Sequence, residues 1–388
     1  MINLLLAIIY LSFISLGLPD GLLGAAWPTM CLEMDVPVSY AGMVSIIISA
    51  GTIISSLLSD RLTLRFGTGK ITAVSVAMTA LALLGFSFTK NYWLLFLWAV
   101  PYGLGAGSVD ASLNNYVALH YSSRHMSWLH CMWGIGATTG PYLMGYALTA
   151  GQGWNAGYRY VAFLQMGLTA VLLLSLKIWK ERKNEPRGEN AAPRAPLGLR
   201  EILNISGARE VMIGFFCCCA VENTAMLWSS TYLVRQVGMN EELAATLGSL
   251  FFLGMTSGRF VGGFLTAKFN DTNMIRLGQS IIGIGAVVML LPLGEAAAIA
   301  GLLLLGLGCA PIYPSIIHST PEHFGEENSQ ALIGVQMASA YTGSLLMPPV
   351  FGLIANHISI SLFPWFVAVV LVVMVIMCEA LNKKTAKV

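Results

Sequence analysis

"GLGAGSVDAS" at residues 103–112 is echoed by "GLGCAPIYPS" at 306–315, an offset of about 203 in a chain of 388. Both begin Gly-Leu-Gly and continue through small residues inside a long apolar stretch. The echo is not isolated. "TGP" (139–141) aligns with "TGS" (342–344), and Asp20 falls within one residue of Glu222. A pattern repeated at about half the chain length predicts two copies of one structural unit.

Composition supplies the setting. The chain is 56% hydrophobic and 10% charged, where a soluble domain carries about 25% charged residues. Apolar runs of about 20 residues recur along the whole length, which reads as an all-α membrane protein, multi-pass and in contact with lipid. We place twelve transmembrane helices near 3–31, 39–58, 71–89, 93–119, 127–149, 159–179, 209–235, 243–267, 275–293, 296–319, 331–355 and 361–381. The one long polar insert, 180–208, is rich in charge, Pro and Gly and reads as a mobile cytoplasmic linker. It separates an N-terminal six-helix half (1–179) from a C-terminal one (209–388). The first span is too long for a signal peptide, and no small-residue cleavage site ends it.

Basic residues set the orientation. With both termini in the cytoplasm, 18 Lys and Arg fall inside and three, Lys90, Arg159 and Arg235, fall outside. A net charge of +2 gives no reason to expect nucleic acid as a partner. The seven cysteines have no metal or redox spacing, and "CCC" at 217–219 reads as small apolar packing. No nucleophile–base pair or metal cluster is evident, so neither an enzyme nor a cofactor is expected. The protein is expected to be a monomer.

A parallel duplication of six helices is the plan of a large class of secondary transporters, with the solute bound near the midplane. The acids inside the spans fit that reading. Asp20, Asp110 and Glu222 lie deep in spans 1, 4 and 7, while Arg159, Arg235 and Arg259 read as lying near helix ends. A charge at the bilayer centre costs roughly 2.5–3.5 kcal/mol even on the gentlest scale. Without a basic partner an acid lowers that cost by taking up a proton, and one whose exposure alternates is a proton carrier. The alternatives are an acid held for packing, or a cap at a helix break, since Pro19, Gly17, Gly21 and Gly24 surround Asp20. Na⁺ is the alternative ion, because the carboxylate of Asp110 and the amide oxygen of Asn114 suit a hard cation.

Five motifs carry a resemblance to a known family. "GLGAGSVDASLNNYV" (103–117) resembles the span-4 signature of the fucose–proton symporter family of the major facilitator superfamily. "PDGLLGAAWP" (19–28) resembles its span 1, and "VENTAMLWSSTYL" (221–233) its span 7. "APIYPSI" (310–316) and "MPPVFGLIA" (347–355) resemble its spans 10 and 11. The resemblance implies the major facilitator fold, alternating access, and uptake of a monosaccharide with a proton across a bacterial inner (plasma) membrane. It assigns proton coupling and sugar binding to Asp20 and Asp110. Span 5 departs from the pattern: His130 and Trp133 stand where the fucose branch has a glutamine and an asparagine. That departure points to a flat-faced hexose such as glucose rather than to fucose.

A sugar site needs polar edges and aromatic faces. Trp27 lies seven residues after Asp20 and would share its helix face. Asn114, one turn on, shares a face with Asp110, and His130 and Trp133 lie one turn apart. Glu222, Asn223, Trp228, Tyr313, Gln336 and Tyr341 are the candidates of the second half. "SDRLTLRFGTGK" (59–70) is a loose form of the superfamily's cytoplasmic motif, with Asp60 and Arg61 or Arg65 as a gate or as an ordinary positive-inside loop. Arg259 in "GRFVGG" (258–263) holds the matching place in the second half and is expected to face a helix C-terminus or an acid of the first half. The expected function is proton-coupled import of a hexose or related polar solute. Proton-antiport export of a small metabolite or drug is the alternative, since "GIGATTGP" (134–141) partly resembles the antiporter motif. A transport-dead nutrient sensor is a third reading.

Overall fold

The computed structural model describes residues 2–37, 40–183, 196–240, 243–244, 247 and 250–385. Those residues are almost entirely helical, and no strand occurs among them. Lipid offers no hydrogen bonds, so a spanning backbone must satisfy its own polar groups, and an unbroken helix is the simplest way.

The first expected span is two helices, not one. α1 covers Ile2–Gly17 and α2 covers Leu22–Glu33, with a turn at 18–21 between them. Pro19 has no N–H to donate, and Gly17 and Gly21 flank it. The chain turns there by short-range bonds, Asp20 N–H to Gly17 O at 3.1 Å and Leu22 N–H to Pro19 O at 3.1 Å. Asp20 and Trp27 therefore do not share one helix face. α2 instead turns Trp27 into an apolar core with Leu22, Met30 and Tyr92, where its ring meets that of Tyr92 at 6.2 Å.

The remaining helices of the first half are α3 (Ala41–Phe66), α4 (Thr68–Phe88), α5 (Tyr92–His120), α6 (Ser123–Thr149) and α7 (Gly153–Leu174). Two short helices follow, α8 (Leu176–Lys183) and α9 (Leu199–Asn204). They fall partly within the expected linker, where "KERK" and "LREILN" are good helix formers. Residues 184–195 of that linker lie outside the described residues. The second half holds α10 (Ala208–Tyr232), extended by a π-helical turn at Leu233–Val237, then α11 (Leu250–Leu265), α12 (Asp271–Met289) and α13 (Glu295–His318). α14 (Thr320–Phe324), α15 (Glu326–His357) and α16 (Phe363–Thr385) complete it. Among the described residues ten segments are long and apolar enough to cross a membrane, with α1 and α2 counting as one. The shorter α11 and the more polar α6 bring the spans to twelve.

The chain forms two compact units, 1–116 with 132–198, and 117–131 with 199–388. In the first unit α4 packs on α7, and α1 and α2 also rest on α7. α3 and α5 are zipped by small polar side chains. Ser55 donates to the Leu104 carbonyl and lies against Ser108 Oγ, and Thr63 Oγ1 meets Ser112 Oγ at 2.8 Å. In the second unit α13 packs between α11 and α12, and α10 against α15 and α16.

One close approach occurs in both units at repeat-related positions. Gly51 faces Gly103 between α3 and α5, and a Cβ on Gly103 would stand 2.2 Å from the Ile48 carbonyl oxygen. About 203 residues on, Gly254 and Gly306 bring α11 and α13 together, and a Cβ on Gly306 would stand 2.1 Å from the Phe251 oxygen. Small residues allow membrane helices to approach this closely, and packing rather than hydrophobic exclusion then holds them. The echo between 103–112 and 306–315 thus records one helix contact used twice. Gly306→Ala should destabilise the protein by about 1–3 kcal/mol, the ordinary cost of overpacking. Gly24, in α2, has nothing within 4 Å of its would-be Cβ, so Gly24→Ala should leave the melting temperature unchanged or raise it. Thermal unfolding in detergent checks the pair.

Candidate functional site

In the first unit the candidate residues gather around the α1–α2 break. Asp20 sits in the turn with its carboxylate exposed. Its Oδ2 accepts a 2.8 Å hydrogen bond from Trp133 Nε1 on α6, and it takes part in no ion pair among the described residues. Trp133 is therefore a hydrogen-bond donor to the acid as well as an aromatic surface. Close packing places it: Gly17 lies against the Trp133 carbonyl and Gly136 against that of Ile14, so α6 lies almost backbone to backbone on α1.

Asp110, buried on α5, accepts from Asn114 Nδ2 at 2.8 Å across one helical turn. The α3–α5 zipper fixes the rotation of α5 and hence the place of Asp110. The carboxyl groups of Asp20 and Asp110 are near enough to interact electrostatically. At the other end of α3, Asp60 turns inward and is buried, whereas Arg61 and Arg65 are exposed. Arg65 lies over the ring of Phe66 at 5.2 Å.

One residue near the break escaped the sequence reading. Gln165 on α7 is buried, and its Nε2 donates to the Ser15 carbonyl at 2.8 Å. Ser15 is four residues before Pro19, so its carbonyl is the one a helical N–H at position 19 would have bonded. Gln165 replaces the donor that proline lacks. A proline inside an apolar span, with a lone amide in another span of the same half, was the available signal.

The second unit corrects the reading that no base lies deep in the membrane. Arg259, on α11, is 2% exposed, and its Nη2 lies 3.3 Å from Glu222 Oε1 on α10. Arg259 faces an acid of its own unit. Glu222 is thus an acid held beside a cation, and the argument that lack of a base drives it to take up a proton fails for it. The sequence reading missed the pair because "GRFVGG" was taken as the end of a span, whereas α11 carries Arg259 well inside it.

His130 is also buried. Its ring meets that of Tyr313 edge-on at 4.7 Å, and Tyr313 lies 4.5 Å from Phe215. Trp133, one helical turn further on, is the donor to Asp20. The remaining candidates have structural partners. Asn223 Nδ2 bridges the Cys219 carbonyl and Ser344 Oγ, and Trp228 Nε1 donates to the Pro348 carbonyl at 3.0 Å. Gln336, fully buried, exchanges hydrogen bonds with Thr320 Oγ1. Tyr341 on α15 is half-buried. A further network that sequence gave no sign of joins Ser123 Oγ and His318 Nδ1 to the two oxygens of Asp271, at 2.5 and 2.6 Å, and His318 Nε2 to the Tyr121 carbonyl at 3.1 Å.

The family model of the Major Facilitator Superfamily matches residues 9–295 and 211–386. The chain belongs to that superfamily. It is a membrane transporter and not an enzyme. It is similar to the glucose/mannose transporter GlcP of Bacillus subtilis, 22% identical with 62% of this chain and 60% of GlcP covered. It is also similar to the 4-hydroxybenzoate transporter PcaK of Acinetobacter baylyi, 24% identical with 76% and 71% covered. Its fold matches that of FucP, the E. coli fucose:proton symporter, in the outward conformation. The TM-score is 0.77, at 16% identity over 96% of this chain and 97% of FucP.

The buried Glu222–Arg259 pair generates a test. Removing one member of a buried pair typically costs about 3–5 kcal/mol, because the other is left as an uncompensated charge, whereas replacing both by apolar residues is close to neutral. Arg259→Leu should unfold at clearly lower temperature than the parent, and adding Glu222→Leu should restore most of the loss. A double variant no better than the single one would mean that Glu222 is not what Arg259 compensates.

Proposed function

We propose that this transporter imports a monosaccharide, or a closely related polar solute, together with a proton, by alternating access. The observation that carries the reading is Asp20. Asp20 is an exposed acid at a break in the first span, its hydrogen bond comes from a neutral indole, and no cation pairs with it among the described residues. A carboxylate so placed can take and release a proton without breaking an ion pair. Asp110, bonded to a neutral amide, is its partner in the same unit. Asn114 turns its NH₂ rather than its oxygen toward Asp110. In this reading the protein works as a monomer in a bacterial inner membrane with both termini cytoplasmic.

Half-buried Tyr313, backed by His130 and Phe215, supplies aromatic surface for the solute, and the similarity to a glucose/mannose transporter supports a hexose. A second reading rests on Arg259. A guanidinium in the same unit as these rings suits an aromatic carboxylate, and a 4-hydroxybenzoate transporter is among the relatives.

Two measurements decide. Asp110→Asn keeps size and polarity but cannot exchange a proton. It should abolish accumulation against a gradient in sodium-free vesicles with an inward pH gradient, while counterflow survives. Accumulation by this variant would remove Asp110 from the coupling, and an absolute Na⁺ requirement would replace the proton. Competition against a bound label assigns the solute. Glucose-type sugars should displace it below the concentration needed for fucose, by about 5- to 150-fold if one buried hydrogen bond decides. Displacement by 4-hydroxybenzoate and by no sugar selects the carboxylate reading.

A further inference from the structure

Four helix ends meet within the second unit. α5 ends at His120 and α13 at His318, while α6 begins at Ser123 and α12 at Asp271. A helix C-terminus carries unpaired carbonyls and a partial negative charge, and an N-terminus a partial positive one. The charged side chains are placed to match. Asp271, in the first turn of α12, accepts from the hydroxyl of Ser123 at the start of α6, at 2.5 Å. His318 closes α13, and its Nε2 lies 3.1 Å from the Tyr121 carbonyl just past the end of α5. Its Nδ1 lies 2.6 Å from the other oxygen of Asp271. Those two contacts decide the state of the ring. A carbonyl and an ionised carboxylate only accept, so each ring nitrogen must carry a hydrogen. A neutral imidazole has one N–H and serves one of them, whereas the imidazolium serves both. The His318 side chain is 20% exposed, so a proton can reach it from solvent.

We propose that His318 and Asp271 form a proton-binding latch, which ties residues 121–123 to α12 and α13 while the ring holds its proton and loosens them when the proton leaves. The step balances. One N–H bond breaks, the proton goes to water, and the ring becomes neutral beside a carboxylate that stays ionised. The remaining N–H stays with the carboxylate, the stronger acceptor, and the Tyr121 carbonyl loses its donor. Other titratable groups surround the pair. Glu322 and His323 on α14 interact electrostatically with it. Arg124 lies over the Trp128 ring, and His125 sits between the rings of Tyr121 and Trp128. α10 and α11 bring Glu222 and Arg259 to α13 at Cys309, nine residues before His318. The latched segment is part of a longer strip, since residues 117–131 all belong to the second unit. Trp128 Nε1 donates to the Phe260 carbonyl at 3.3 Å, Cys131 Sγ faces the Thr256 carbonyl at 3.9 Å, and the His130 ring meets Tyr313. The latch thus governs how firmly the start of α6 is held. It rests neither on the solute nor on proton exchange at Asp20 and Asp110.

Hydrogen–deuterium exchange of the purified full chain, read by mass spectrometry and corrected for the intrinsic rate at each pH, tests the latch. In the parent, peptides from 117–131 should lose protection severalfold as the pH rises from about 5 to 8, the range in which a histidine changes charge, while peptides from α7 keep theirs. In His318→Gln, whose amide does not titrate, protection of 117–131 should no longer change with pH. In Ser123→Ala, which weakens the clamp but keeps the ring, protection should be lower at acid pH and still fall as the pH rises. Protection of 117–131 in the parent that stays constant across the range overturns the latch, whether or not either variant folds. A pH-dependent loss that persists in His318→Gln assigns the proton to another group, such as Glu322 or His323, and overturns it as well. Failure of the coupling reading is visible separately, as accumulation retained by Asp110→Asn.

Discussion

Proline at position 19 removes one backbone N–H from the middle of a membrane span, and much of the first unit is arranged around that loss. In water the freed carbonyl would find a solvent molecule. In lipid it must find a protein donor, or the span does not fold. Gln165 supplies the donor from α7, and the packing of α1 on α7 brings it there. The turn that follows lifts Asp20 out of the helical ladder. Its carboxylate becomes accessible without any cation being buried to balance it.

The two halves began from one pattern, and they have diverged in their charges. The glycine contacts persist: Gly51 with Gly103, and Gly254 with Gly306, join the equivalent helix pairs. Arg259 stands about 203 residues beyond Ser56, which in the first half only donates to the Gly107 carbonyl. A hydroxyl in one copy is a guanidinium in the other. The acid near the repeat position of Asp20 is Glu222, and it is the acid that Arg259 holds. One half sets Asp20 against an indole and Asp110 against an amide, and the other sets Glu222 against a guanidinium.

The spans, the duplication and the deep acids were legible because each leaves a mark at short range: a run of apolar residues, a repeated Gly-Leu-Gly, a carboxylate within a hydrophobic stretch. What was not legible depends on which side chain meets which across distant helices. Periodicity in an apolar run cannot register a break of four residues, so Asp20 and Trp27 read as one face when they belong to different elements. Arg259 read as a helix end because nothing local distinguishes an arginine at the rim of a span from one inside it. The Asp271–His318–Ser123 network joins residues separated by up to 195 positions, and none of them sits in a motif. Trp133 was read for its ring, but its N–H is what reaches Asp20.

An acid in the middle of a membrane helix looks costly, and the cost falls on a few identifiable neighbours. Trp133 can donate to Asp20 because α6 lies against α1 closely enough to leave no room for a Cβ at Gly17 or Gly136. That same closeness leaves the two helices little freedom to slide. The acid is held by a neutral donor, on a closely packed helix pair, beside a break whose Ser15 carbonyl is satisfied by Gln165. Protonation of Asp20 alters the one hydrogen bond it accepts from Trp133. Trp133 thus acts on the acid through its N–H, and it does so from a helix whose place against α1 the two glycines fix.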